Sequence, residues 1–200
     1  MGNKINSTLA YYNQTASTYF TNTVAVDMSA ICDKFLSYIP HGARIVEIGA
    51  GSGRDLRYFK AAGYEVEGID ASIELCKLAT AYSGVKVECV NIQDWKPEKK
   101  YNGIWTNAVL THLSINEIDD FILRLENILM PQGVAYLSFK TGITTGMDEL
   151  GRYFSDISVE QVKHILEKSK KLEIKELWFT DDKMYRDDFR WINLILQFSL

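Results

Sequence analysis

Two hundred residues, 46% hydrophobic and 24% charged, suit one domain (1–200) with a single sizeable core. A formal net charge of -4, with basic residues clustered only at 168–171, argues against general nucleic-acid binding. Three widely spaced cysteines (Cys32, Cys76, Cys89) suggest neither a disulfide framework nor a metal site, and with no signal-peptide core or long apolar run they fit a cytoplasmic protein that neither enters nor spans a membrane.

Residues 6–38 read as two helices, the second carrying Ile31, Phe35, Leu36 and Ile39 at helical spacing. Pro40 closes this helical cap (1–40), and a core of 41–200 follows. Strand one is expected over 44–49. It runs into Gly49-Ala50-Gly51-Ser52-Gly53 and then a helix over 53–62, which Gly63 stops. Strand two covers 64–69 and ends at Asp70-Ala71-Ser72. Ser72 caps the next helix, which reaches about residue 82 before Gly84. Strand three is expected over 85–90 and strand four over 103–107. Ser114 or Asn116 caps a helix reaching Met130, and Pro131 precedes strand five at 134–139. A variable stretch, 140–157, leads to a helix over 158–169. Two strands close the chain, at 172–180 and 189–198. Repeated strand–helix units imply an α/β fold, a parallel sheet with helices on both faces. The last two strands have no room for a crossover helix between them, so they form a hairpin and the final strand is antiparallel.

Glycines recur at every second position of the first loop: Gly49, Gly51 and Gly53. Glycine is needed where φ is positive or where a ligand approaches the backbone closely. A dinucleotide loop, Gly-x-Gly-x-x-Gly, would place its last glycine where Arg54 stands, and the Gly-Lys-Ser/Thr end of a phosphate loop is absent. Glu47 would repel a pyrophosphate, but it suits a ligand bearing an ammonium and a sulfonium. The pattern acidic-x-Gly-x-Gly-x-Gly, from Glu47 to Gly53, resembles the first motif of the class I S-adenosylmethionine-dependent methyltransferases. The resemblance implies a Rossmann-like fold with a seven-stranded, mostly parallel sheet in the order 3-2-1-4-5-7-6, strand seven reversed. It also implies S-adenosylmethionine as the cofactor.

In such a sheet the ligand sits at the carboxyl ends of the strands, beside the topological switch point. Strand one supplies Glu47, Gly49, Ala50, Gly51 and Gly53. Asp70, with Ala71 beside it, lies where a carboxylate takes both ribose hydroxyls. The resemblance implies that Asn91, Ile92 and Asp94 flank the adenine, Ile92 packing on the ring. It implies that the Thr106-Asn107 backbone lies near the methionine ammonium, and that Tyr12 and Tyr19, on one helix face, close over the cofactor. His112 is the candidate catalytic residue, with a structural histidine bonding backbone as the competing reading.

Methyl transfer is an in-line displacement from an excellent leaving group, so positioning and desolvation matter more than a nucleophile. Thr106-Asn107-Ala108-Val109 stands where adenine amino-methyltransferases carry Asn/Asp-Pro-Pro-Tyr. The chain lacks the Pro-Cys of cytosine C5 enzymes, the clustered cysteines of arsenite enzymes and a basic amphipathic helix for membrane substrates. A small-molecule acceptor with an O, N or S nucleophile remains.

Four segments, Gly133-Val134-Ala135-Tyr136-Leu137-Ser138-Phe139-Lys140-Thr141-Gly142, Gly151-Arg152-Tyr153-Phe154, Trp178-Phe179-Thr180-Asp181-Asp182 and Trp191-Ile192-Asn193, resemble a small bacterial tellurite-resistance-like, small-molecule methyltransferase subgroup. Lys140, Arg152 and Trp178 follow the ends of strands five and six and are expected to face the acceptor. Lys140 and Arg152 together suit an anionic one. The stretch 141–157, with Gly142, Gly146 and Gly151, is the expected lid. A monomer or homodimer is expected. The competing functions are a module that holds S-adenosylmethionine or S-adenosylhomocysteine without transferring methyl, and a nicotinamide oxidoreductase, which the loop spacing and Glu47 disfavour.

Overall fold

The computed structural model describes residues 2–184 and 189–199, with side chains from Ser7 onward. Three helices lead the chain rather than two: α1 (Gly2–Gln14), α2 (Ala16–Thr23) and α3 (Ser29–Leu36). The break between α1 and α2 falls at Thr15, whose hydroxyl donates to the Tyr11 carbonyl at 2.8 Å and so competes for an acceptor of the helix ladder.

Strands and helices then alternate: β1 (Arg44–Ile48), α4 (Arg54–Ala61), β2 (Glu65–Asp70), α5 (Ile73–Ser83), β3 (Val87–Cys89) and β4 (Tyr101–Thr106). After a short 3-10 turn at Leu110–His112 come α6 (Ile115–Ile128), β5 (Leu129–Thr141), β6 (Gly146–Met147), β7 (Tyr153–Phe154), α7 (Val159–Leu166), β8 (Leu172–Asp181) and β9 (Arg190–Phe198). Serines punctuate the helices as the sequence implied. Ser72 accepts from the Leu75 N–H, and Ser114 rather than Asn116 caps α6 in a reciprocal box with Glu117.

Seven strands form one sheet in the order β3-β2-β1-β4-β5-β9-β8. The first five run parallel, while β9 lies antiparallel between β5 and β8. This is the expected order, with β8 and β9 as strands six and seven.

Two further regions differ from expectation. β5 begins at Leu129, where Met130 takes the extended conformation that a residue preceding proline favours. The register steps from Tyr101↔Leu129 to Gly103↔Val134, so 130–133 bulge out around Pro131, with Gln132 at φ 62°. In the stretch 140–157, β6 and β7 pair as a hairpin docked on α1. The Ser7 hydroxyl donates to the Gly151 carbonyl at 2.7 Å, and the Tyr153 N–H donates to the Thr8 hydroxyl oxygen at 2.9 Å.

Both faces of the sheet are buried, so its central strands are apolar on both sides. Along β5, Val134 and Tyr136 join Phe35, Phe59 and Trp105 on one face. Ala135, Leu137 and Phe139 point the other way, into the cluster of Phe121, Ile122 and Leu125 from α6. Among the described residues no helix is long and apolar enough to cross a membrane. Nor does any group of three or more His, Cys, Asp or Glu among them suit a metal ion.

Candidate functional site

β1 pairs with β2 on one side and β4 on the other, so the loops after these three strands open into one crevice. Gly49, Gly51 and Gly53 all have φ between 52° and 74°, the left-handed region. The two outer glycines are also sterically fixed. A Cβ on Gly49 would lie 2.1 Å from Val109 Cγ2, and one on Gly53 would lie 2.7 Å from the Ala79 carbonyl oxygen. Gly53 therefore serves the close packing of α4 on α5 rather than a cavity wall. Gly51 faces the Tyr19 ring, and its N–H donates to Asp70 Oδ2 at 2.9 Å.

Asp70 also accepts from the Ser72 N–H at 2.8 Å. Burial pushes its carboxyl up, while these N–H groups pull it down. Ser72, which caps α5, donates its own hydroxyl to Asn13 Oδ1 at 2.7 Å and so ties α1 to the loop after β2. Glu47 is 3% exposed, and its Oε2 has no hydrogen-bond partner among the described residues. Burial, with Asp55 nearby, holds its carboxyl well above the usual carboxylate range. An orphaned buried carboxylate oxygen is costly unless a cation or donor meets it.

Two adjoining cavities result, of about 290 and 140 Å³. The smaller is bounded by Asp70, Ala71, Asn91, Ile92 and Gln93. The larger is bounded by Glu47, Ala50, Asp55, Lys140, Arg152 and Phe154. Tyr12, Tyr19, Gly49, Gly51, Asn107 and His112 line both and mark where they join. Burial pushes the Tyr19 hydroxyl up to about 12.

At that junction His112 makes two bonds. The Tyr153 carbonyl can only accept, so Nδ1 carries the hydrogen at 2.7 Å, and Nε2 accepts from the Tyr12 hydroxyl at 2.8 Å. Burial lowers the histidine to about 4, which keeps the ring neutral.

Four of the residues expected here lie off both cavity walls. Gly53 packs as described. Thr106 is fully buried and donates to the Tyr136 carbonyl at 3.1 Å. Asp94 is exposed on the turn after Ile92, and Gln93 lines the wall instead. Trp178 packs away from the cavity, against Tyr136 and under Lys34 Nζ at 5.2 Å. Its neighbours Thr180, Asp181 and Asp182 reach the cavity.

Sequence reasoning missed other residues. Asp55, 3% exposed, accepts from Arg54 Nε at 2.6 Å, Arg54 Nη2 at 2.9 Å, Trp105 Nε1 at 2.9 Å and Asn107 Nδ2 at 3.4 Å. An acidic residue in the first turn of a helix reads as an exposed dipole partner, which concealed it. Ala108 sits at φ 62°, held by its N–H to Ser138 Oγ at 2.7 Å. Such strain is concentrated at functional sites, yet an alanine gives no sign of it.

A family model for a methyltransferase domain matches residues 20–176. No curated protein matches by sequence. Among solved structures, the 1,6-didemethyltoxoflavin-N1-methyltransferase of Burkholderia thailandensis, with bound 1,6-didemethyltoxoflavin and S-adenosylhomocysteine, superposes with a TM-score of 0.77. It is 16% identical, over 98% of this chain and 88% of that one. The N-methyltransferase NodS from Bradyrhizobium japonicum WM9, in complex with S-adenosyl-L-homocysteine, gives 0.68 at 15% identity, over 94% and 98%. The 4+2 cyclase SpnF gives 0.66 at 16% identity, over 86% and 81%. At these identities the likeness is one of fold, and the fold serves more than one reaction.

Proposed function

The chain belongs to the methyltransferase-domain family, and on that premise we propose that it transfers the methyl group of S-adenosylmethionine to a small-molecule acceptor. The observation that carries this reading is a buried carboxylate in each of two adjoining cavities: Asp70 in the smaller, and Glu47 with its orphaned Oε2 in the larger. A ribose diol suits the first and an ammonium the second. A pyrophosphate suits neither. S-adenosylmethionine, when bound, supplies a methyl group already activated on a sulfonium.

The chain's own residues position and exclude. In this reading Ile92 packs on the adenine, Asn91 and Gln93 meet its edge, and Tyr12 and Tyr19 cover the junction of the cavities. Asn107, fixed by Asp55 and Ser138, presents its backbone beside Glu47. His112 is a positioning residue: its neutral ring bridges the Tyr12 hydroxyl at Nε2 and the Tyr153 carbonyl at Nδ1. The segments resembling the tellurite-resistance-like subgroup support a small acceptor. Three free cysteines support a cytoplasmic setting.

Calorimetric titration with S-adenosylmethionine and S-adenosylhomocysteine tests the reading. Wild type should bind at micromolar strength. Asp70→Ala and the milder Asp70→Asn should each lose about tenfold or more, the worth of a charge-assisted hydrogen bond. Absence of binding to wild type would remove the assignment.

A further inference from the structure

We propose that Cys76 and Cys89 are a peroxide-sensitive dithiol whose closure to a disulfide weakens binding in the smaller cavity, a consequence that rests on the methyl-transfer reading above. The sequence separates these cysteines, and the fold brings them together. Cys76 lies in the first turn of α5, and Cys89 ends β3, where it pairs with Asp70 of β2. Cys76 Sγ donates to the Asp70 carbonyl at 3.4 Å and also faces the Glu88 carbonyl at 3.8 Å. Cys89 Sγ donates to the Ala71 carbonyl at 3.7 Å, and the two thiols are within hydrogen-bond reach of each other.

Their surroundings set the order of reaction. Cys89 is exposed, so an oxidant in solution reaches it. Cys76 is 4% exposed, and burial, with Asp70 and Cys89 adding to it, pushes its thiol up. Cys76 is therefore the second thiol to react. Cys32 takes no part: it packs with Phe35 and Trp105, whereas Cys76 packs with Leu56 and Ala79 in a separate cluster.

The chemistry balances with one hydrogen peroxide as the two-electron oxidant. The Cys89 thiolate attacks a peroxide oxygen. An S–O bond forms, the O–O bond breaks, and the departing hydroxide takes a proton to become water. The Cys76 sulfur then attacks the Cys89 sulfenic sulfur. The S–S bond forms, the S–O bond breaks, and the hydroxide leaves with the Cys76 proton as a second water. A small dithiol reverses the bridge by exchange and is itself oxidised to a disulfide.

The bridge acts on the wall of the smaller cavity. Ala71, Ser72, Leu75 and Val90 line that cavity, and they flank the two cysteines on β2, α5 and β3. The Asp70 carbonyl takes the Val90 N–H at 2.9 Å, while its carboxylate holds the Gly51 and Ser72 N–H groups. An S–S bond of about 2.05 Å is far shorter than a thiol–thiol contact, so the two sulfurs must close on each other. Both S–H donors to the Asp70 and Ala71 carbonyls are lost at the same time. The loops after β2 and β3 shift with them, and these loops carry the cavity.

The test treats the reduced protein with hydrogen peroxide. Peptide mapping without reductant should find Cys76 joined to Cys89, and dithiothreitol should undo the link. In Cys76→Ala, a 1,3-dione should trap the sulfenic acid on Cys89. In oxidised wild type, hydrogen exchange at the Gly51 and Ser72 amides should accelerate, and calorimetry should find S-adenosylhomocysteine bound about fivefold or more weakly. Cys89→Ser, at an exposed position outside both cavities, should bind S-adenosylhomocysteine within about twofold of wild type and lose both responses to peroxide. Cys32→Ala should keep them. Absence of the bridged peptide, or a bridge that leaves exchange and affinity unmoved, overturns the proposal. Failure of the reduced wild type to bind S-adenosylhomocysteine removes the methyl-transfer reading instead, and exchange at the two amides then still reads whether the bridge moves the Asp70 loop.

Discussion

At His112 the Tyr153 carbonyl fixes the hydrogen on Nδ1, and in the neutral ring Nε2 accepts from the Tyr12 hydroxyl. Burial, aided by Lys140 and Arg152, lowers its pKa to about 4 from an ordinary 6.5. The unfolded chain therefore binds the extra proton first. The stability tied to the neutral ring is complete above the unfolded value and is lost as pH falls through the window from 6.5 to about 4. A shift of this size corresponds to about 3 kcal/mol. Melting curves from pH 8 to pH 4.5 should fall more steeply for wild type than for His112→Asn. Parallel curves would mean that the proton is not coupled to folding. The sequence left this histidine between two roles, and its backbone bond to Tyr153 favours the structural one. Asp70 and Glu47 were legible because a carboxylate at a strand end, beside glycines, has few other uses. Asp55 and Ala108 were not, since burial at a helix start and a left-handed alanine are tertiary outcomes that no local pattern encodes.

Among elements, α1 and the β6–β7 hairpin act as one cover. Ser7 and Thr8 bind the hairpin, Tyr12 binds His112, and Asn13 binds the cap of α5, so successive turns of one helix touch three separate walls. Thr8→Val keeps the shape but leaves the Tyr153 N–H without its acceptor, at a cost of about 1–3 kcal/mol. Hydrogen exchange at the Tyr153 amide should accelerate by the matching factor, while the central strand β4 keeps its protection. Unchanged exchange at Tyr153 would show that the hairpin holds without α1. The long alternating units were readable from periodicity and serine caps. This hairpin was not, because two-residue strands carry no period, and neither was the bulge in β5, where one Pro-Gln-Gly turn interrupts a strand that resumes in step.

For the molecule as a whole, the sheet explains why residues distant in sequence share one site. The chain crosses from β1 to β2 in one direction and reaches β4 in the other, and the split between them gathers loops from both halves. The C-terminal hairpin then adds Asp182, Trp191 and Asn193 to the same crevice, and Asn193 is bound by the Tyr136 hydroxyl at 2.7 Å, deep in the core. A ligand seated there contacts groups that unfolding would scatter, so its binding free energy adds to global stability. At a hundredfold excess over Kd, S-adenosylhomocysteine should contribute about 2.7 kcal/mol. For a chain of this size that raises Tm by roughly 5–10 °C. Asp70→Ala at the same ligand concentration should show a clearly smaller rise, because its Kd is higher while the rest of the crevice is intact. A wild-type Tm that S-adenosylhomocysteine leaves in place, in a melt that is cooperative, would mean that the crevice does not bind it, and that the paired carboxylates serve another cationic ligand on the same fold.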